Sequence, residues 1–257
     1  MRVLPELSRV LPKGKRLIEP FVGSGAVFLN SDYPAYLLTD SNRDLINLFT
    51  RVKTEGAEFV EYCRALFNLS SNTPEVFYEM RDRFNKATDT RLRAALFLYL
   101  NKHCFNGLVR FNNKGLFNTP FGEYKKPRLP EKQILCFQQR AARASFACQD
   151  FTVTMKKARA GDVVYCDPPY VPLTSTANFT KYTTQDFGTE QQEELARLAR
   201  FLSHKKGVPV IISNHDTEFI TATYHHAKLH RVSVRRSISR DSATRGMVAE
   251  VLAVFAP

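Results

Sequence analysis

Apolar and polar positions change period twice along this chain. Near the N-terminus "KRLIEPFVGSGAVFLN" reads as a strand, a glycine-bearing turn and the start of a helix, and "AYLLTD" as a second strand ending on Asp40. Strand, helix, strand and then an acid is the opening of an α/β fold. From about residue 44 the apolar residues fall at helical spacing, in "DLINLFTRVKTEGAEFVEYCRALF", "PEVFYEMRDRFNKA" and "TRLRAALFLYLNKHC", with Thr73 as N-cap and Pro74 as first helical residue of the second. "FNGLVRFNNKGLFNTPFGEYKKPRLP" then predicts a β-hairpin turning at Asn113-Lys114-Gly115 and closed off by prolines. Residues 44–130 are expected to form a mostly helical insertion, and residues 1–43 and 131–257 the sheet domain that carries it. In the latter part "ASFACQDF", "DVVYCD", "VPVIISN", "KLHRVSVRRSIS" and "MVAEVLAVFA" read as strands. "TEQQEELARLARFLSHKKG" reads as an amphipathic helix with Thr189 and Gln192 at capping-box spacing.

Composition adds one strong constraint. Hydrophobic content of 44% and charged content of 24% over 257 residues are ordinary for a globular protein, but the formal charge of +12 is not. Together with a pI near 9.6 it calls for a polyanionic partner, nucleic acid or an anionic membrane surface. The longest apolar runs, such as "AALFLYL" and "VPVIIS", are far shorter than the ~20 residues of a spanning helix. The N-terminus has no apolar signal core, so nucleic acid is the expected partner and a membrane is not. Five cysteines without a CxxC pair are expected to be reduced thiols of a cytoplasmic protein, and Cys166 a buried strand residue, since no base accompanies it. His226 and His230 are spaced i,i+4 without a third ligand signature, and no metal is expected.

Two motifs carry chemistry. Gly23 and Gly25 sit between a strand and a helix, where glycine admits unusual dihedrals and close approach of a ligand. Asp40, at the end of the next strand, is placed to accept from ribose hydroxyls. A tight turn without a ligand has the same local pattern. Phe28 stands where a dinucleotide fingerprint wants a small residue, and there is no GK[ST] for a triphosphate. A cofactor with a ribose but no phosphate fits better, which points to S-adenosylmethionine, leaving S-adenosylhomocysteine as product.

The second motif is Asp167-Pro168-Pro169-Tyr170, where the strand "DVVYC" stops. Open α/β sheets bind ligands at the carboxyl ends of their strands. Two prolines fix φ and remove two N–H donors, so the corner offers acceptors: the Asp167 carboxylate and the Pro168 carbonyl. The complementary guest is an NH2 group on a planar ring, with Tyr170 as a face on which a base stacks for about 1–3 kcal/mol. An exocyclic amine is weakly nucleophilic because its lone pair is delocalised. Two acceptors around it favour a tetrahedral nitrogen and free that lone pair for attack on a sulfonium methyl, with positioning and electrostatics carrying the rate.

On these residues the chain resembles the Dam-type DNA adenine methyltransferases from about Lys13 to Phe255. "EPFVGSGAVFLN", "FLYLN", "FNGLVRFNNKG", "FNTPFG", "YCDPPY", "TANFT", "ISNHDT" and "VRRSIS" are similar to that family's segments and keep its order. The resemblance implies a Rossmann-like methyltransferase sheet with an inserted, mostly helical DNA-recognition domain carrying a β-hairpin. It implies methyl transfer from S-adenosylmethionine to adenine in GATC of double-stranded DNA, by a monomer associated with the nucleoid in the cytoplasm. Glu19, Phe21 and the Gly23–Gly25 turn would shape the cofactor pocket, Asp40 would hold the ribose, and Asp150 and Phe151 would border the cofactor's adenine. Asp167 to Tyr170 would hold the target adenine, flipped out of the duplex because its amine is not accessible in the stack. Phe105, Asn106, Leu108, Arg110, Asn112, Asn118, Pro120 and Tyr124 match positions that insert into or read the site. Arg110 suits a guanine edge and Pro120 a thymine methyl.

The hairpin also stands out without the family, since residues 101–128 hold six basic residues against one acid, Glu123, interleaved with five aromatics. A solvated basic loop is the alternative reading of that run. The match begins at Met1, directly after the place where family members carry a Lys-Trp-Ala-Gly-Gly-Lys-like segment. Either the start lies further upstream, or the chain is a shortened member with a weakened cofactor site. Two other functions share the features: a DNA-binding relative that has lost catalysis, and an N-methyltransferase of RNA or protein.

Overall fold

The computed structural model describes residues 3–170, 187–235 and 247–257. The described residues fall into two compact units, one of residues 3–40, 149–170, 187–235 and 247–257, the other of residues 41–148. In chain order the elements are α1 (Leu4–Val10), β1 (Arg16–Glu19), α2 (Ala26–Asn30), β2 (Ala35–Asp40), α3 (Arg43–Glu55), α4 (Ala57–Arg64), α5 (Pro74–Lys86), α6 (Thr90–His103), α7 (Glu131–Ala141) and β3 (Ala144–Cys148). They continue as α8 (Phe151–Lys156), β4 (Asp162–Cys166), α9 (Thr189–Lys206), β5 (Val210–His215), α10 (Glu218–Thr223), β6 (Lys228–Arg235) and β7 (Met247–Phe255).

The strands form one sheet in the order β3-β2-β1-β4-β5-β7-β6. β1 pairs in parallel with β2 and with β4, and β4 with β5, while β7 runs antiparallel to both β5 and β6. The chain therefore reverses its direction of winding between β1 and β4, and ligands of open α/β sheets lie outside the strand carboxyl ends at such a point. Ile18 stands opposite Val164 in that pair, so the ends bearing Glu19 and Asp167 are neighbours.

Burial explains the strand composition. All five residues of β4 and all six of β5 are buried, as near-continuous apolar runs between two covered faces should be. Ile18, Val164, Ile212 and Val251 pack with Met155 of α8, Leu195 and Leu202 of α9, and Ile220 of α10. At the opposite end of β4, Asp162 pairs with Arg16 at 2.6 Å and ties β1 to β4.

In the second unit α6 is buried almost throughout, from Ala94 to Leu100. Thr73 caps α5 through Val76 N–H, with Pro74 in its first turn, and Asp89 caps α6 through Leu92 N–H, as side-chain acceptors at helix starts do. The hairpin is present as two antiparallel bridges, Phe111 with Phe117 and Cys104 with Phe121, rather than as regular strands. Its turn closes by Gly115 N–H to the Asn112 carbonyl at 2.9 Å, with Gly115 at φ 72°.

The structure departs from the pattern reading in several places. "ASFACQDF" is strand only to Cys148; Asp150 then accepts from Thr152 N–H and starts α8, because its carboxylate satisfies a free donor there. The expected capping box of Thr189 and Gln192 is displaced by one residue: α9 starts after Gly188, whose N–H donates to Gln191 Oε1 at 2.8 Å, and Gln192 turns into the interior. Helix α7 lies between the two patterns that were legible. "TANFT" and the last four residues of "VRRSIS" lie outside the described residues. Among those described, no helix is long and apolar enough to cross a membrane, and no group of His, Cys, Asp or Glu side chains could hold a metal ion.

Candidate active site and nucleic-acid interface

Glu19 closes β1 and is 2% exposed, and its Oε1 has no hydrogen-bond partner among the described residues. Burial above all, and then the charge of Asp167, push its carboxyl up to about 8 against an opposing hydrogen bond from the Phe28 backbone. Asp167, one residue beyond β4, is pushed up to about 6, first by burial and secondarily by Glu250, while a hydrogen bond from the Tyr170 hydroxyl opposes the shift. The Tyr170 hydroxyl is itself driven far upward by burial and those two carboxylates, so it keeps its proton. At the switch point the charge of Asp167 thus adds to the cost of ionising the buried Glu19.

The turn after β1 is built around Asp40. Val22 N–H donates to the Thr39 carbonyl at 2.9 Å, and Gly23 N–H to Asp40 Oδ2 at 3.1 Å, so the end of β2 clamps the glycine loop. Gly23 has φ 47°, and a Cβ there would meet nothing within 4 Å: the loop borders open space. Beside it Phe21 stacks on Phe151 at 5.4 Å and 26°, and Phe187 meets both rings at 5.4 and 5.5 Å. Asp150 is exposed and spends Oδ1 on Thr152, as cap of α8. An unpartnered buried carboxyl oxygen, an open glycine loop and an aromatic wall suit a ligand with a cationic end, a ribose and a flat ring. The residues present therefore fit S-adenosylmethionine.

At the corner Pro168 is buried and Pro169 exposed. The Pro169 carbonyl accepts from Gln192 Nε2 at 2.9 Å, and the Tyr170 ring meets His215 edge-on at 4.8 Å and 81°. Glu19, Phe21, Gly23, Gly25, Asp40, Phe151, Asp167, Pro168, Pro169 and Tyr170 all belong to the first unit and lie at or next to strand carboxyl ends.

The hairpin residues occupy the second unit. Phe105 is 51% exposed, Tyr124 40% and Leu108 38%, large apolar groups presented to solvent. Pro120 is also exposed, and Asn106 adopts φ 54° in the turn that displays Phe105. Arg110 donates from Nε to Asn118 Oδ1 at 2.8 Å and from Nη2 to the Asn118 carbonyl at 3.1 Å. Asn112 Oδ1 accepts the N–H groups of Lys114 and Leu116, at 2.9 and 3.0 Å, and so shapes the tip. Asn85 of α5 accepts from Phe117 N–H at 2.9 Å and donates to its carbonyl at 3.2 Å, anchoring one arm.

Two further residues of the site, Phe187 and Ser213, are not among those expected from the sequence, and Gln192 has another place than its capping-box spacing predicts. Phe187 completes the ring cluster, Gln192 grips the corner, and Ser213 hydrogen-bonds the hydroxyls of Tyr165, at 2.7 Å, and Tyr170. The available signal was the polar end of the β5 run, "SNH", since polar residues finishing a buried strand need partners at its carboxyl end.

A mostly parallel sheet with a switch point, an acid-bearing glycine loop and an acceptor-rich corner ending on a tyrosine place the chain among the α/β proteins of methyltransferase type. The family model for D12 class N6 adenine-specific DNA methyltransferase matches residues 1–238. The chain belongs to that family, and it is an adenine-specific DNA methyltransferase. Relatives named DNA adenine methylase include one from Serratia marcescens, 51% identical over 98% of this chain and 94% of that protein. Another, from Escherichia coli (strain K12), is 49% identical over 99% and 91%, and one from Vibrio cholerae serotype O1 is 44% identical over 99% and 92%.

Proposed function

We propose that this methyltransferase takes its methyl group from S-adenosylmethionine and places it on N6 of the adenine in GATC of double-stranded DNA, after extruding that adenine from the helix. The observation that carries the reading is the position of Asp167-Pro168-Pro169-Tyr170, at the end of β4 beside the Glu19 and Gly23 loop. When bound, the cofactor supplies an electrophilic methyl on sulfonium. Glu19 would hold its cationic end, Gly23 and Gly25 would let the backbone approach, Asp40 would meet the ribose, and Phe21, Asp150 and Phe151 would border the adenine ring.

Asp167 and the Pro168 carbonyl would accept the two N6 hydrogens, turning the lone pair toward the methyl. Transfer of that methyl, with the carbon–sulfur electron pair left on the cofactor's sulfur, would leave N6 with a surplus proton, which Asp167 or water would accept. The Tyr170 hydroxyl now donates to Asp167, so entry of the base exchanges that hydrogen bond for one from N6. Ser213 remains as a partner for the displaced hydroxyl. The second unit would be the target-recognition domain, with Arg110 reading guanine, Pro120 the thymine methyl, Phe105 and Leu108 filling the gap left by extrusion, and Asn106, Asn112, Asn118 and Tyr124 supporting those contacts. The enzyme would work as a monomer on cytoplasmic, nucleoid DNA.

The test uses labelled S-adenosylmethionine with duplexes that differ only in whether GATC is intact or scrambled. Label on adenine of the intact site alone is expected; equal label on both would defeat the sequence assignment.

A further inference from the structure

Gln192 is a fully buried amide whose hydrogen bonds all run between α9, β5, α10 and the corner. Its Oε1 accepts from Tyr224 Oη at 2.7 Å and from Asn214 Nδ2 at 3.1 Å, and its Nε2 donates to the Pro169 carbonyl at 2.9 Å. The amide orientation is dictated by its partners. Asn214 Oδ1 accepts the N–H of His215 at 2.9 Å, which leaves its NH2 to face Gln192. Tyr224 is pushed up by burial and keeps its proton, so it donates. Gln192 must therefore accept on that side and donate on the other. Buried amides are costly unless their hydrogen bonds are made, and this one is committed to the corner rather than to the cap of its own helix, which Gln191 supplies.

We propose that Gln192 is a positioning residue of the methyl transfer: by holding the Pro169 carbonyl it fixes where the Tyr170 ring stands. This rests on the reading that the corner receives the target adenine. The ring of Pro169 already locks φ, so ψ is that residue's one remaining soft dihedral. The Pro169 carbonyl and Tyr170 nitrogen share one peptide plane, and pinning the oxygen sets that plane. The ring is then steadied at its other side by His215, the neighbour of Asn214 on β5, so one strand end fixes Tyr170 through two routes.

Gln192→Met keeps the length and removes the strong donor and acceptor, and Tyr224→Phe loosens the amide while keeping Gln192. With Gln192→Met, kcat on the unmethylated duplex that the wild-type enzyme methylates should fall roughly 10- to 100-fold, the cost of a misplaced reacting group. Calorimetric affinity for S-adenosylhomocysteine should stay within about twofold, because the loss belongs to the transition state. Tyr224→Phe should lower kcat less, in the same direction, and carries the test if Gln192→Met fails to fold by circular dichroism. Folded variants with wild-type kcat would overturn the proposal, as would a loss of kcat matched by an equal loss of cofactor affinity. Wild-type transfer to adenine outside GATC would overturn the sequence assignment instead, since kcat is compared on whichever duplex is methylated.

Discussion

Asp167 is a carboxylate whose ionised form is present at neutral pH and lost below about 6, and the Tyr170 hydroxyl is part of the reason it is ionised at all. Hydrogen bonding to the charged form favours it. Tyr170→Phe should therefore move the acid limb of the kcat/KM profile, which reports the free enzyme, to higher pH; an unmoved limb would mean that Asp167 does not govern it. Glu19 makes the opposite demand on folding. Its folded value of about 8 lies above the ordinary 4.5, so the folded state holds a proton that the unfolded chain releases. Its contribution to stability is complete below 4.5 and is lost as pH rises through about 8. The stability of wild type relative to Glu19→Gln should fall between about pH 5 and about pH 8 in urea unfolding. A rise over that window would contradict the buried, protonated Glu19.

The hairpin between α6 and α7 shows how a short element is held in place without regular strands. Asn118 takes two of the five N–H donors of Arg110 and sets the plane of the guanidinium; on the proposed reading the rest of the fork would meet a base edge. Arg110→Ala should cost about 1–3 kcal/mol on the cognate duplex and relax one position of the site. Equal losses on cognate and scrambled duplexes would mark Arg110 as a phosphate contact. What was legible in the sequence depended on the kind of signal each element carries. The placement of Asp40 and Asp167 at strand ends, and of the glycines in the turn after β1, is legible because an apolar run that stops on an acid or a glycine is a local signal. Thr73-Pro74 was readable because a cap and a proline act locally. Gln192 was misassigned because its spacing from Thr189 mimics a capping box, and only tertiary burial shows that α9 starts one residue earlier and sends Gln192 to Pro169. Phe187 was lost because ring stacking across distant segments has no period. Helix α7 was missed because its apolar face of Ile134 and Phe137 is short and its length modest.

At the scale of the whole chain the charge of +12 ensures that affinity for DNA falls with salt whatever the sequence bound. Lys126 is exposed beside the hairpin. Lys126→Ala should lower the slope of log affinity against log salt by about 1, equally for cognate and scrambled duplexes; a loss confined to the cognate site would make it a base reader. The sheet order brings the ends bearing Glu19 and Asp167 together where the chain reverses its winding between β1 and β4. The most direct measurement is single-turnover transfer by Asp167→Ala to a GATC duplex, with duplex affinity measured on the same preparation. Loss of at least roughly 100-fold in transfer is expected, as when a preorganised electrostatic group is removed, with affinity largely kept. Transfer near the wild-type rate would contradict the account.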